Sequence, residues 1–314
     1  MDPRGATPDP LAALGAFAHL TAARERTVAG LALQARRLRS ACVDAGCVAL
    51  MGSWGRREVT SGSDIDWLLL GEGDEDGVRA TLGSAEGTRG LFNARVSVAD
   101  LARVGAEQDD VTNLTRRLLL LIESVPVVGA TAHRDALRTL LTAYLARERR
   151  DRRPPRFLLN DLVRYWRTIA VEFEGKGEHK WALRHAKLRT SRTVLFAGGL
   201  LPLLECHHVD ADAVPGLLLD RYLEPPVDRL ARAFATYDAH DAGVRTLAAY
   251  DAFLALLDDD EQRGHLVGLP RADAASDPVF QEARRLGREV QQGLLALLFE
   301  REPLRRLVRQ YLIF

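Results

Sequence analysis

Two short runs concentrate the residue types that handle phosphate and metal chemistry. They are Ala49-Leu50-Met51-Gly52-Ser53-Trp54-Gly55-Arg56-Arg57 and Ser61-Gly62-Ser63-Asp64-Ile65-Asp66-Trp67-Leu68-Leu69-Leu70. Together they read as an apolar strand, a Gly-Ser turn opening a short helix, and a second apolar strand carrying two carboxylates. Strand side chains alternate with a period of two, so Asp64 and Asp66 are expected on one face with Ile65 turned into a core. Two carboxylates aimed at one point suit a hard divalent cation such as Mg2+ or Mn2+, which takes oxygen ligands and is shared with substrate phosphates. Gly52 lets backbone approach a phosphate closely, and a helix N-terminus beyond it offers unpaired N–H donors.

The elements that must position these groups follow from periodicity. Leu11 to about Ala45 spaces apolar residues by three and four, which predicts one or two helices with a break near Gly30. Strands are expected at about Cys47 to Met51 and Ile65 to Leu70, a helix at Val78 to Ser84, and a third strand at Leu91 to Val98. From Thr112 onward the spacing predicts helices almost throughout, among them Thr112 to Ser124, His133 to Arg150, Phe157 to Glu174, Lys180 to Ala197 and Pro278 to Glu300. Asp277-Pro278 reads as an N-cap with proline at the first helical position. The stretch Leu257 to Ala275, with its acidic cluster Asp258 to Glu261, reads as a polar loop. The expected architecture is α+β: a small mixed-sheet domain with an N-terminal helix over 1–110, then an all-helical bundle domain over 111–314.

The composition sets further bounds. With 314 residues the chain is longer than a typical single domain, and 47% apolar residues can build substantial cores. Lys plus Arg balances Asp plus Glu at 43 each, which gives no global argument for nucleic acid or membrane. Locally, Arg149 to Arg192 holds thirteen basic residues against five acids, a charge of +8, and a polyanion is to be sought there. Cys42, Cys47 and Cys206 are too few for a disulfide framework and fit a reducing cytosol. Met1 to Pro10 lacks the pattern of a secretory leader, and no apolar run reaches about eighteen residues. The expectation is a cytoplasmic protein without a membrane partner.

At Gly52-Ser53 and Asp64-Ile65-Asp66 the sequence resembles the DNA-polymerase-beta-like nucleotidyltransferase superfamily, whose motif is Gly-Ser followed some ten residues later by Asp-x-Asp. Within it, Gly52 to Leu70 looks most like the N-terminal domain of bacterial signal-protein uridylyltransferases and their short relatives. The blocks Thr115 to Leu118, Asn160 to Arg167 and Lys180 to Arg184 are similar to those short relatives. The resemblance implies transfer of a nucleoside monophosphate from a nucleoside triphosphate to an acceptor, with release of pyrophosphate. Asp64 and Asp66 would hold the metal, and Gly52, Ser53 and Ser63 with nearby amides would hold the triphosphate, with Arg56 or Arg57 as charge partner.

Members of that superfamily carry a third carboxylate on a later strand. The polar face of Leu91 to Val98 offers Asn93, Arg95 and Ser97, and no acid. Asp100 is the candidate, provided the strand ends or bulges before it.

A second constellation comes from the helices. At about 100° per residue, Lys180, Arg184, Lys187 and Ser191 fall on one stripe, as do Asn160, Arg164 and Arg167 on the preceding helix. We read these stripes as the far wall of a cleft gripping triphosphate or base, against the simpler reading of structural ion pairs with Glu172 and Glu174. The cluster Cys206, His207, His208 and Asp210 has no zinc-type spacing and reads as a loop. His240-Asp241 does not support a phosphohydrolase domain, and Trp166, Trp181 and Tyr165 read as core.

The acceptor hydroxyl is expected on a protein, with tRNA or a small molecule as alternatives. A tRNA-modifying toxin is the second reading. A nucleotide-binding sensor that lost turnover with its third acid is another.

Overall fold

The computed structural model describes residues 9–41, 43–44, 46–83, 91–105, 109–146, 151–175 and 177–312. The start before Asp9, Cys42, Ala45, Ser84, the last residues of the helix expected over His133 to Arg150, and Lys176 lie outside the described residues. The chain is mixed α+β with a small four-stranded sheet.

In chain order the first half runs α1 (Ala18–Ser40), β1 (Val48–Leu50), α2 (Ser53–Arg56), β2 (Trp67–Leu70), α3 (Glu75–Leu82), β3 (Ala94–Val96), α4 (Val98–Leu101), α5 (Val111–Ile122), β4 (Val125–Val128), α6 (Ala130–Leu145) and α7 (Arg156–Gly175). Among the described residues the second half contains helices and no strand: α8 (Trp181–Arg189), α9 (Ser191–Glu205), α10 (Val214–Tyr222), α11 (Pro226–Thr236), α12 (His240–Asp258), α13 (Asp260–Gly268), α14 (Pro278–Leu295) and α15 (Glu302–Tyr311), with short 3-10 and π turns.

Two compact units share the chain. The sheet unit takes residues 21–175 and 202–225, and the helical unit takes 1–20, 176–201 and 226–314. The sheet unit therefore continues well past residue 110, and its fourth strand comes from beyond that point.

The strand order is β3-β2-β1-β4, with β1 antiparallel to both neighbours and β3 parallel to β2. The central strands β1 and β2 are buried on both faces. One face presents Val48, Leu50, Trp67 and Leu69 to Ala35 and Leu38 of α1 and Val78 and Leu82 of α3, which gives a continuous apolar core. Strand β4 carries Pro126, which is tolerated because β4 lies at the sheet edge, next to a register shift in β1.

Helix α1 runs without the break expected at Gly30. The glycine is there for proximity: a Cβ at this position would lie 2.8 Å from the Trp54 ring. The same helix holds the segment after α2, since Arg26 Nη1 donates to the Val59 carbonyl (2.8 Å) and the Val59 amide donates to Thr27 Oγ1 (3.3 Å).

The polar blocks of α5 and α7 meet inside the sheet unit. Arg117, fully buried, donates to both carboxylate oxygens of Asp109 (3.0 and 2.9 Å), to the Leu101 carbonyl (2.9 Å) and to the Tyr144 hydroxyl (2.8 Å). Tyr144 in turn donates to Asp161 (2.7 Å), which also meets Arg117 at 3.3 Å. Burial disfavours the charged form of Arg117, but its bonds to Asp109 and Tyr144 outweigh that and hold the guanidinium above its ordinary range. Burial likewise pushes the Tyr144 hydroxyl far above its ordinary range. The network ties α4, α5, α6 and α7 through groups that each need the others to remain buried.

In the helical unit the segment 257–275, expected as a loop, contains α13. Asp259 caps it by accepting from the amides of Glu261 and Gln262 (both 3.0 Å), and the acids of the first turn sit at the positive end of the helix dipole. The expected helix Lys180 to Ala197 is two helices, divided at Thr190 (φ −122°, ψ −88°). Asp277 caps α14 as expected, accepting from the Phe280 amide at 2.8 Å. Among the described residues no helix is long and apolar enough to cross a membrane.

Two outcomes test this packing. A Cβ at Gly55 would lie 1.7 Å from the Glu123 carbonyl oxygen, a backbone atom with no freedom to retreat. Gly55→Ala should therefore destabilise by about 3 kcal/mol or more, read as a lower midpoint in urea unfolding. His133 is buried, its Nε2 2.7 Å from Ser124 Oγ, and burial pushes its imidazole down to about 4. Ser124 Oγ already donates to the Leu120 carbonyl (2.6 Å), so Nε2–H is the donor and the ring is neutral. The unfolded state binds a proton near its ordinary value while the folded state does not, so stability falls as pH drops from the unfolded value toward about 4. The loss should reach about 2 kcal/mol near pH 5. His133→Gln should flatten that part of a melting-temperature profile against pH.

Candidate functional site

The β1–β2 register sets the candidate site. Leu50 pairs with Trp67, and the ladder continues one residue further as the Met51 amide donates to the Asp66 carbonyl at 2.9 Å. Beyond Met51 the ladder gives way to the turn at Gly52 and to α2 from Ser53. The Gly-Ser turn and the Asp-x-Asp segment, separated in sequence, thus lie side by side in the sheet unit. Trp54 Nε1 donates to the Asp64 carbonyl (2.9 Å) and clamps the second segment to the turn.

Both carboxylates precede β2 rather than lying within it, because the regular strand begins only at Trp67. Asp64 is exposed and Asp66 half-buried. Gly52 has φ 63° and ψ −133°, a conformation L side chains rarely adopt, and a Cβ there would point at Asp66 Oδ2, 3.7 Å away. The Asp66 carboxylate therefore stands directly over the glycine turn.

Helix α2 is a single turn. The amides of Gly55 and Arg56 donate to the carbonyls of Met51 and Gly52 (3.4 and 3.0 Å). Among the described residues, the Ser53 hydroxyl, the Asp64 carboxylate and the Arg57 guanidinium have no hydrogen-bond or ion-pair partner. Arg57 itself sits at φ 59° and closes the turn.

The two adjacent arginines have different employment. Arg56 Nε meets Glu58 at 2.8 Å and its Nη1 meets Glu123 at 2.6 Å, both carboxylates being almost wholly buried. Arg56, expected beside a phosphate, thus has its charge answered by two buried acids. Arg57 is the basic group left at the turn. Ser63 is also engaged locally, its Oγ accepting from the Thr60 amide at 2.9 Å and lying 3.2 Å from Thr60 Oγ1. It shapes the loop that delivers Asp64.

Asp100 lies at the wrong end of the sheet. Because β3 is parallel to β2 with Leu68 opposite Ala94 and Leu70 opposite Val96, the level of Asp66 corresponds to Phe92. Asp100 comes four residues after Val96, in α4, where it is exposed and 3.4 Å from Arg103. The distance from Asp66 to the far end of β2 alone is about 13 Å, so no cation is shared between them. Next to the expected level of a third acid stands Asn93, at φ 58°, with its amide donating to the Trp67 carbonyl (2.7 Å) and its Oδ1 accepting from the Trp67 amide (3.2 Å). Among the described residues no group of three or more His, Cys, Asp or Glu side chains is placed to hold one metal ion. The donor set present, two carboxylates beside a hydroxyl and a close-approach glycine, fits Mg2+ of the kind held by one or two carboxylates plus substrate phosphates.

The basic stripes fare differently. Asn160, Arg164 and Arg167 share one exposed face of α7 and, with Val171 and Glu172, line an open groove of about 450 Å³ in the sheet unit. Arg164 is 3.9 Å from Asp161, and Arg167 has no partner among the described residues. The stripe of Lys180, Arg184, Lys187 and Ser191 belongs to the helical unit and does not form as expected. Lys180 precedes α8 at φ 53°, Ser191 is buried at the start of α9 after the break at Thr190, and Arg184 donates to the Gly177 carbonyl. Only Arg184 and Lys187 remain on one helix. Cys206 to His208 form a 3-10 turn with the Cys206 thiol buried, donating to the Pro202 carbonyl and pushed up to about 12, an inert group rather than a ligand.

The unequal arginines give a test. Arg56→Met strands two buried carboxylates and should cost about 3 kcal/mol of stability in urea unfolding. Arg57→Ala should leave stability within about 0.5 kcal/mol and weaken binding of a nucleoside triphosphate measured by calorimetry.

Set against family models, curated proteins and solved structures, the chain matches none.

Proposed function

We propose that the sheet unit binds a nucleoside triphosphate with Mg2+ or Mn2+ and transfers the nucleoside monophosphate to a hydroxyl, most readily one on a protein, releasing pyrophosphate. The observation that carries this reading is the register that pairs Met51 with Asp66 and so brings the Gly52-Ser53 turn beside the Asp64-Asp66 segment, with three polar groups around that turn left without partners among the described residues. The resemblance of the same residues to polymerase-beta-like nucleotidyltransferases supports it independently of the geometry.

In this mechanism Asp64 and Asp66 would hold the metal, which when bound neutralises charge on the phosphates. The Ser53 hydroxyl donates to a phosphate oxygen, Gly52 lets the chain approach without a Cβ, and Arg57 offsets charge on the leaving pyrophosphate. The acceptor oxygen forms a bond to the α-phosphorus, the bond from that phosphorus to the bridging oxygen breaks, and the hydroxyl proton passes to solvent. The arginine face of α7 is a further place for the substrate's anionic or polar parts.

A second reading rests on Asn93. An amide beside the level of the third acid favours a domain that binds nucleotide and metal without turnover. One experiment separates the readings: incubate each of the four labelled nucleoside triphosphates with Mg2+ or Mn2+ and a cell lysate, wild type beside Asp64→Ala/Asp66→Ala. Label should enter protein with wild type and fall at least about 100-fold in the double variant. Label in RNA would move the acceptor to tRNA. Metal-dependent binding without any transfer would establish the sensor.

A further inference from the structure

The helical unit gathers arginines beside an aromatic cluster. Helices α8 and α14 lie against each other, and at Gly287 a Cβ would come within 3.2 Å of Arg189 Cβ. Each presents the same pattern at a spacing of four: Trp181, His185 and Arg189 on α8, Phe280, Arg284 and Arg288 on α14. A spacing of four keeps side chains on one helix face, so two aromatic-to-arginine stripes run side by side. They line a cavity of about 400 Å³, closed on a third side by Arg271 and the small residues Ala274 and Ala275.

The aromatic part is already assembled. Trp181 and His185 stack with centroids 5.1 Å apart, Phe280 stands 5.5 Å from Trp181, and the Arg271 guanidinium lies 5.1 Å over the Trp181 ring. The cationic part lacks counter-charge in its lining, although Arg189 donates to the Gln291 side-chain carbonyl at 3.1 Å. Among the described residues Arg189, Arg284 and Arg288 have no carboxylate partner, and no acid lines the cavity. The acids of the same helix are already employed, since Glu282 and Glu289 both pair with Arg285. Arginines gathered without acids repel one another, and planar guanidinium groups match phosphate oxygens in pairs. A simple phosphate would leave most of such a volume and the aromatic wall unused.

We propose that this cavity binds a nucleoside phosphate, its phosphates held by Arg189, Arg284 and Arg288 and its base against the Trp181–His185–Phe280 wall. The site needs no metal and shares no residue with the Asp64/Asp66 centre, so it stands whether or not that centre transfers nucleotide. The same chemistry is offered by a free nucleotide and by the end of an RNA strand.

The test is equilibrium dialysis of labelled ATP with the full chain bearing Asp64→Ala/Asp66→Ala, in the presence of a chelator. We expect saturable binding of one ATP per chain that weakens as salt rises. Adding Arg284→Ser/Arg288→Ser should reduce affinity at least about tenfold, while Arg309→Ser, an exposed arginine outside the cavity, should leave it unchanged. Arg284, Arg288 and Arg309 are all exposed, and a melting curve checks that each variant is folded. Adenosine and inorganic tripolyphosphate should each bind at least about tenfold more weakly than ATP. A short single-stranded RNA displacing ATP at lower concentration than ATP itself would assign the strand end as the source, and the reverse order would assign the free nucleotide. Absence of saturable binding, equal loss with Arg309→Ser, or tripolyphosphate binding as tightly as ATP would overturn the proposal.

Discussion

The antiparallel register of β1 and β2 is the constraint on which the candidate site depends. The pairing of Val48 with Leu69 and Leu50 with Trp67 places four apolar side chains on one face of the sheet, against α1 and α3. A slip of one residue would turn that set away from the core, so the hydrophobic core and the register enforce each other. The polar ends of the strands have no choice once this is set. The Gly52-Ser53 turn must arrive beside Asp66, because it follows directly on Met51, whose amide bonds to the Asp66 carbonyl at the end of the ladder. The Trp54 indole, which bonds to the Asp64 carbonyl, and Gly30, which makes room for that indole on α1, carry the core's rigidity into the turn.

Charge burial does a second job in the sheet unit. Arg56 sits between Glu58 and Glu123, and Arg117 between Asp109 and Asp161, so each arginine joins segments far apart in sequence. Such groups are weak evidence of net stability, since desolvation offsets most of the attraction. Their effect is on specificity: a buried guanidinium tolerates few arrangements of its neighbours. Arg56 shows why adjacency in sequence misleads about role. It and Arg57 leave the same one-turn helix, yet one faces buried carboxylates and the other has no partner among the described residues.

The site was legible in the sequence where chemistry and periodicity coincided. A glycine turn between apolar strands and a pair of acids at a spacing of two announce themselves locally, and the structure brings them together. What was not legible depended on distance. Parity along Leu91 to Val98 addressed which face Asp100 takes, but the parallel pairing of β3 decides which end of the sheet it reaches, and parity carries no information about that. The Arg117 network joins residues 27 and 44 positions apart on different helices, beyond any local pattern. Strand β4 was hidden by Pro126, which argues against a central strand but not against an edge. Helix α13 was hidden because an acidic cluster read as solvated loop also makes a good helix start, with Asp259 as its cap.

The same reasoning explains why the α8 stripe failed and another took its place. Counting at 100° per residue assumes one uninterrupted helix, and the turn at Lys180 and the break at Thr190 leave α8 only nine residues long. Within that length Trp181, His185 and Arg189 form a different stripe at a spacing of four, and α14 repeats it with Phe280, Arg284 and Arg288. A helix face is defined by where the helix begins and ends as much as by spacing. The unmatched positive charge expected of the segment Arg149 to Arg192 thus resolves into two places with different surroundings. On α7 it is an open arginine face beside the acids Asp161 and Glu172, and on α8 it is the edge of a half-open cavity with no acid in its lining. An anion approaching α7 competes with carboxylates already present. In the cavity beside α8 it meets guanidinium groups whose charge no lining side chain has answered.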